Sequence, residues 1–154
     1  MSQLTISLKK GLHEQCLQYI QNCINNVQLA LADAIQSGNS ESKSSAGDKH
    51  ETTRSLLQLE QEKHTKQLSD LMSSKEKLLR IDPFLHSEVI STGSIAMTTA
   101  GNFYIAIAAG KLVADENTYF AISPNSPIAV KLMGAKVKDR VHFKDITYDI
   151  EAVF

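Results

Sequence analysis

From residue 9 to residue 36 the apolar side chains fall at Leu12, Cys16, Ile20, Cys23, Val27, Leu31 and Ala34. Steps of three and four put them on one stripe of an α-helix. A weaker stripe follows over residues 48–79 at Leu57, Leu68, Leu71 and Leu78, interrupted by Gln61, His64 and Lys75. A helix with one narrow apolar stripe must cover it. Two such helices in succession do so most simply as an antiparallel hairpin, a two-stranded coiled coil. Helices of roughly 28 residues would reach about 40 Å. Between the stripes, residues 37–55 hold one apolar side chain, Ala46, and the Ser/Gly/Asn-rich run predicts a loop, with the hairpin tip near 37–51.

The pattern changes at Ile81-Asp82-Pro83, because a residue before proline is pushed out of the helical region. Short strand-like runs follow at Ser94–Thr98, Phe103–Ala108, Lys111–Ala114, Thr118–Ile122, Arg140–Phe143 and Ile146–Val153, punctuated by Gly93, Gly101 and Gly110. One short helix interrupts them, and its punctuation is complete. Ser126 can N-cap, Pro127 suits the first helical position, and Gly134 can close the helix. The predicted class is α+β: a helical hairpin over 1–80, then a small antiparallel-sheet domain with one short helix over 81–154.

Composition narrows the function classes. The 154 residues are 42% hydrophobic and 21% charged, and no apolar run approaches the roughly 20 residues of a membrane span. The first residues lack the basic-then-apolar pattern of a secretory signal, so a cytoplasmic location is expected. A net charge of −1 argues against blanket phosphate neutralisation, and sequence-specific DNA binding is not expected. Cys16 and Cys23 lie seven apart, about 10 Å along a helix, too far for a disulfide. Both read as buried helix residues in a reduced cytosol. No nucleotide-binding glycine motif or nucleophile elbow is present, so no autonomous catalysis is expected.

The remaining chemistry is sparse. Asp48 and Glu51, three apart at a helix start, present two carboxylates on one face. They suit a capping box, with Asp48 at the N-cap and Glu51 at the third position. The local pattern favours the cap. Alone the two carboxylates make a poor magnesium site, but they suit half of one where phosphates and another metal already wait, since that ion takes one or two carboxylates and fills its shell with water and phosphate oxygens. The charges around them cancel: Glu41, Asp48 and Glu51 against Lys43, Lys49 and Arg54. His13, His50, His64, His86 and His142 converge on nothing in the sequence and read as surface or seam residues. Ser94 reads as a turn residue rather than a nucleophile.

Two segments carry a resemblance. Tyr119-Phe120-Ala121-Ile122-Ser123 leads into Asn125-Ser126-Pro127-Ile128-Ala129, and far upstream stands Gly47-Asp48-Lys49-His50-Glu51. With the order hairpin, break, strand-rich domain, the chain resembles the Gre (GreA/GreB) family of bacterial transcription elongation factors. The resemblance implies an FKBP-like second domain that docks on bacterial RNA polymerase at the secondary channel through Asn125, Ser126 and Pro127. It implies that Asp48 and Glu51 are donated to the polymerase active site. There they would share a Mg2+ ion with polymerase while it cleaves backtracked RNA, touching the nascent RNA 3′ end only indirectly. No tightly bound cofactor is implied. Cleaving members usually carry Asn after the tip Glu and a tyrosine shortly beyond. This chain has Thr52 and Ser55 there, and Arg54 at a commonly acidic position. That departure fits a second expectation, a regulator that occupies the channel without cleaving.

Overall fold

In the computed structural model of the chain, residues 4–42 and 47–154 are described, with side chains described at 4–38 and 51–154. Two long helices, α1 (Ile6–Ser42) and α2 (Gly47–Leu79), precede the strands β1 (Ile95–Thr98), β2 (Gly101–Ile105), β3 (Gly110–Ala114) and β4 (Asn117–Ile122). The short helix α3 (Pro127–Leu132) follows, then β5 (Arg140–Phe143) and β6 (Ile146–Val153). The class is α+β. The chain divides into two compact units, Ile20–Lys75 and the combination of Met1–Tyr19 with Glu76–Phe154.

The helices overrun the predicted loop. α1 continues to Ser42 and α2 already begins at Gly47, so most of residues 37–55 are helical. Serine and asparagine cost only a few tenths of a kcal/mol each inside a helix, and extending an existing helix needs no new nucleus. Composition alone therefore placed the helix ends too early. The Asp48 backbone accordingly falls within the span of α2.

In the unit Ile20–Lys75 the two helices run antiparallel. Lys75 Nζ donates to Gln21 Oε1 at 2.7 Å, and Gln61 Nε2 donates to the Ala34 carbonyl at 3.2 Å. Partners early in α1 thus meet residues late in α2. Two of the residues that broke the apolar stripe are the ones that bridge the helices. Gly38 leaves room for this: a Cβ there would come within 3.1 Å of Gln61 Nε2. The third, His64, bonds along its own helix to Gln67 and faces Glu60.

The six strands form one sheet in the order β3-β4-β2-β1-β6-β5. Neighbours are antiparallel except β2 and β4, which are parallel, with β3 folding back outside β4. Alternation along the strands makes two faces. One carries Ala96, Phe103, Ile105, Tyr148, Ile150 and Val153, which pack with Ala129 and Leu132 of α3 into a single core. The other carries Ile95 and Tyr104, which pair across β1 and β2, and Leu112 and Tyr119, which pair across β3 and β4. The first turns of α1 cover this second face: Leu8, Leu12 and Cys16 are buried, and His13 reaches Tyr104.

Candidate functional site

The turn before α3 is built around one hydroxyl. Ser126 has extended backbone angles (φ −66°, ψ 149°), and its Oγ accepts from the Ala129 amide at 3.4 Å while donating to the Ser123 carbonyl at 2.7 Å. The Ser126 amide donates to the same carbonyl at 3.0 Å, and the Asn125 amide donates to Ser123 Oγ at 3.2 Å. Pro127 opens the helix, Met133 caps its end, and Gly134 follows at φ +84°. The predicted cap, first-turn proline and closing glycine all stand where the sequence puts them. Ser126 is half-buried and spent on the turn, whereas Asn125 and Pro127 are exposed on either side of it. The turn therefore presents a side-chain amide and a rigid ring, fixed by a hydroxyl that faces inward.

The second candidate lies at the start of α2. Glu51 is exposed in the first turn and Arg54 is exposed three residues on, within reach along the same face. The Asp48 backbone belongs to α2, but its side chain and that of His50 lie outside the described residues, so the capping box does too. Thr52 and Ser55 are exposed. No group of three or more metal-binding side chains occurs among the described residues. Two carboxylates alone would be an incomplete donor set for magnesium.

Sequence reasoning missed a third cluster. Lys9 is buried at the foot of α1. Its Nζ donates to the carbonyls of Leu85 at 2.8 Å and Phe154 at 2.9 Å and lies 5.4 Å from the centre of the Phe154 ring. Burial lowers its pKa from 10.5 to about 8, and the negative Asp82 opposes the shift. One turn on, His13 is buried rather than on the surface or in the seam as expected, with Nδ1 2.8 Å from the Tyr104 hydroxyl. Burial lowers its pKa, against Glu14 and Asp82, which raise it. Burial pushes the Cys16 thiol up to about 12 and raises the Tyr104 hydroxyl as well. The Cys16 thiol is inert and both cysteines are free, but Cys23 is only partly buried, where both were expected to be buried. The cluster is uncharged apart from Lys9, is closed to solvent, and ties α1 to the sheet. It is structural. The only signal in the sequence was the spacing of Lys9 and His13 around Leu12 and Cys16, which a stripe analysis discards. Ser94 is buried in its turn, bonded to Ser91 and the Val89 carbonyl, as its reading as a turn residue requires.

No family model matches the chain, and no curated protein does. One solved structure, described as that of the transcription factor Gfh1, aligns over 88% of this chain and 90% of its own, at 16% identity and a TM-score of 0.38. That superposition is too loose to transfer a function. No helix among the described residues is long and apolar enough to cross a membrane.

Proposed function

We propose that this chain is a Gre-like elongation factor that binds RNA polymerase at its secondary channel and stimulates the enzyme's cleavage of backtracked RNA. The observation that supports it is the placement of Asp48 and Glu51 three residues apart in the first turn of a 33-residue helix, beside the connection of an antiparallel hairpin. Acidic side chains are favoured near the positive end of a helix dipole, and Glu51 is exposed there. The exposed Asn125 and Pro127 supply the docking contact, on a different compact unit from the carboxylates. A Mg2+ ion shared in the complex would activate water and neutralise charge at the RNA phosphate. This chain's part is to add two oxygen ligands and to hold them in place.

The test uses a backtracked elongation complex with end-labelled RNA, magnesium and the protein. Wild type shortens the RNA. Asp48→Ala/Glu51→Ala lowers the cleavage rate by about 100-fold, on the order of 3 kcal/mol of barrier, while polymerase binding is kept. Intact cleavage by that double variant would overturn the metal role. Asn125→Ala/Pro127→Ala weakens binding and cleavage together.

The exposed Arg54, one turn from Glu51, favours a second reading, because a cation on that face weakens attraction toward a metal. The chain would then occupy the channel without cleaving. In the same assay the RNA would keep its length, elongation would slow, and Asn125→Ala/Pro127→Ala would relieve the slowing.

A further inference from the structure

We infer that the segment from α3 to β5 is a basic, apolar-floored docking surface for an acidic amphipathic segment of the partner protein. The inference rests on the reading above and names chemistry that the Asn125–Pro127 turn does not supply. Between Pro127 and Arg140 the chain carries Lys131, Lys136, Lys138 and Arg140 against one acid, Asp139, although the whole chain is at −1. The bonds made there leave three of the cations available. Arg140 is taken by Asp149 at 2.7 Å, and the Asp139 carboxylate accepts from the Lys136 amide at 3.0 Å. Lys131, Lys136 and Lys138 are exposed and make no ion pair with any described residue.

Apolar surface lies among these cations. Val130, on the outer side of α3, is 60% exposed, and Val137, between two of the lysines, is 45% exposed. Lys136 and Val137 also line a groove of about 600 Å³ with His86, Glu88, Val89 and Val153. Its three valines make an apolar floor, with Lys136 and Glu88 as the charged groups beside it. The isolated bridge between Val89 and Lys136, and the bonds from Gly134 to Ile90 and from Ile90 to Ala135, brace the two walls. Pro127 and Lys131 stand one helical turn apart, so the first of these cations lies on the helix that the Asn125–Pro127 turn opens.

That combination selects the occupant. Carboxylates match the three unpaired ammonium groups, and an aliphatic side chain matches the valine floor. Nucleic acid would use the lysines but leave the valines unmatched, because base readers supply aromatic or planar groups for stacking. Three lysines are also too few for strong phosphate neutralisation in a chain with a net negative charge.

The experiment is a titration of labelled full-length protein with cognate polymerase core enzyme at several salt concentrations. The proteins compared are wild type, Lys131→Gln/Lys136→Gln/Lys138→Gln, Val137→Ser, and Asn125→Ala/Pro127→Ala. The lysine variant is expected to bind about tenfold more weakly at low salt and to lose less affinity as salt rises, since exposed charges act over a screened range. Val137→Ser is expected to weaken binding several-fold with the salt dependence unchanged. These residues are exposed, so unchanged thermal unfolding checks the fold. If wild type and Asn125→Ala/Pro127→Ala differ but the lysine variant matches wild type, the surface is wrong and the polymerase reading stands. If wild type does not bind polymerase, that reading fails and the inference with it. If the lysine variant loses affinity for a labelled RNA or DNA oligonucleotide while keeping polymerase affinity, the acidic protein segment is the wrong occupant.

Discussion

One hydroxyl fixes the turn that the docking reading depends on. Ser126 satisfies the Ala129 amide and returns its own proton to Ser123, so its replacement would loosen the turn whether or not a partner touches it. Asn125 and Pro127 separate contact from fold and are the better probes. The second residue with a definite consequence is His13. Its imidazole is buried against Tyr104 and its pKa is lowered, so the folded state resists the proton that the unfolded chain accepts near pH 6.5. The associated stability is fully present above that value and is lost as pH falls below it toward the lowered folded pKa. Urea unfolding at stepped pH is expected to show wild type losing stability between pH 7 and 5, with a shallower loss in His13→Asn. The groups facing His13 are Tyr104 across the interface and the carboxylates of Glu14 and Asp82, and neither carboxylate is removed in the comparison. Equal slopes would assign the pH dependence to other groups.

At the level of elements, the strands were legible and their turns were not. Period-two runs between glycines located all six strands to within a few residues, because each has one face in a core. The β3–β4 and β5–β6 connections gave no signal. Ala114 pairs with Asn117 and Phe143 with Ile146, leaving two-residue loops at Asp115-Glu116 and Lys144-Asp145. All four loop residues have positive φ, from 47° to 65°. Turns of this hand favour glycine or asparagine, and the sequence offers neither. Their register is imposed by the flanking strands, against local preference. Glu116→Gly, at φ 65°, is therefore expected to stabilise the protein by about 0.5–1 kcal/mol, read as a rise in the thermal midpoint with the β-sheet circular dichroism unchanged. A fall would mean that the Glu116 side chain contributes more than its backbone costs. The buried Lys9 and His13 were illegible for a different reason. Both are polar types whose burial is decided by the sheet face they meet, not by their own helix. Of the candidate site, the cap motif located the Ser126 turn and the helix it opens, while the spacing of Asp48 and Glu51 suits a helix cap and a metal ligand pair alike.

Across the whole molecule, burial is unequal between the two compact units. The sheet-containing unit holds most of the buried apolar side chains, including Tyr104, Tyr119, Ile95, Ile105 and Leu132. Among the described residues of Ile20–Lys75 the buried apolar side chains are Ile20, Ile24 and Ala34, and Leu29, Leu56, Leu59 and Met72 are exposed. Polar bridges from Gln61 and Lys75 stand where a tighter pair of helices would place leucine. Little buried area means a low free energy of opening, and opening is local when contacts are few. Native-state hydrogen exchange is expected to show amides of residues 20–38 and 51–75 opening at lower free energy than those of β1, β2 and β4. Gln61→Leu tests the cause. The Ala34 carbonyl keeps its helical partner in α1, so nothing is orphaned, and an apolar side chain replaces a half-buried amide in the seam. Protection of the helical amides is expected to rise by about 1 kcal/mol while that of the sheet stays fixed. A rise in both units would mean that they open as one cooperative body, and the helices would then owe their stability to the sheet rather than to their own seam. A rise in neither would mean that Gln61, with Gly38 making room for it, already suits the seam as well as leucine does.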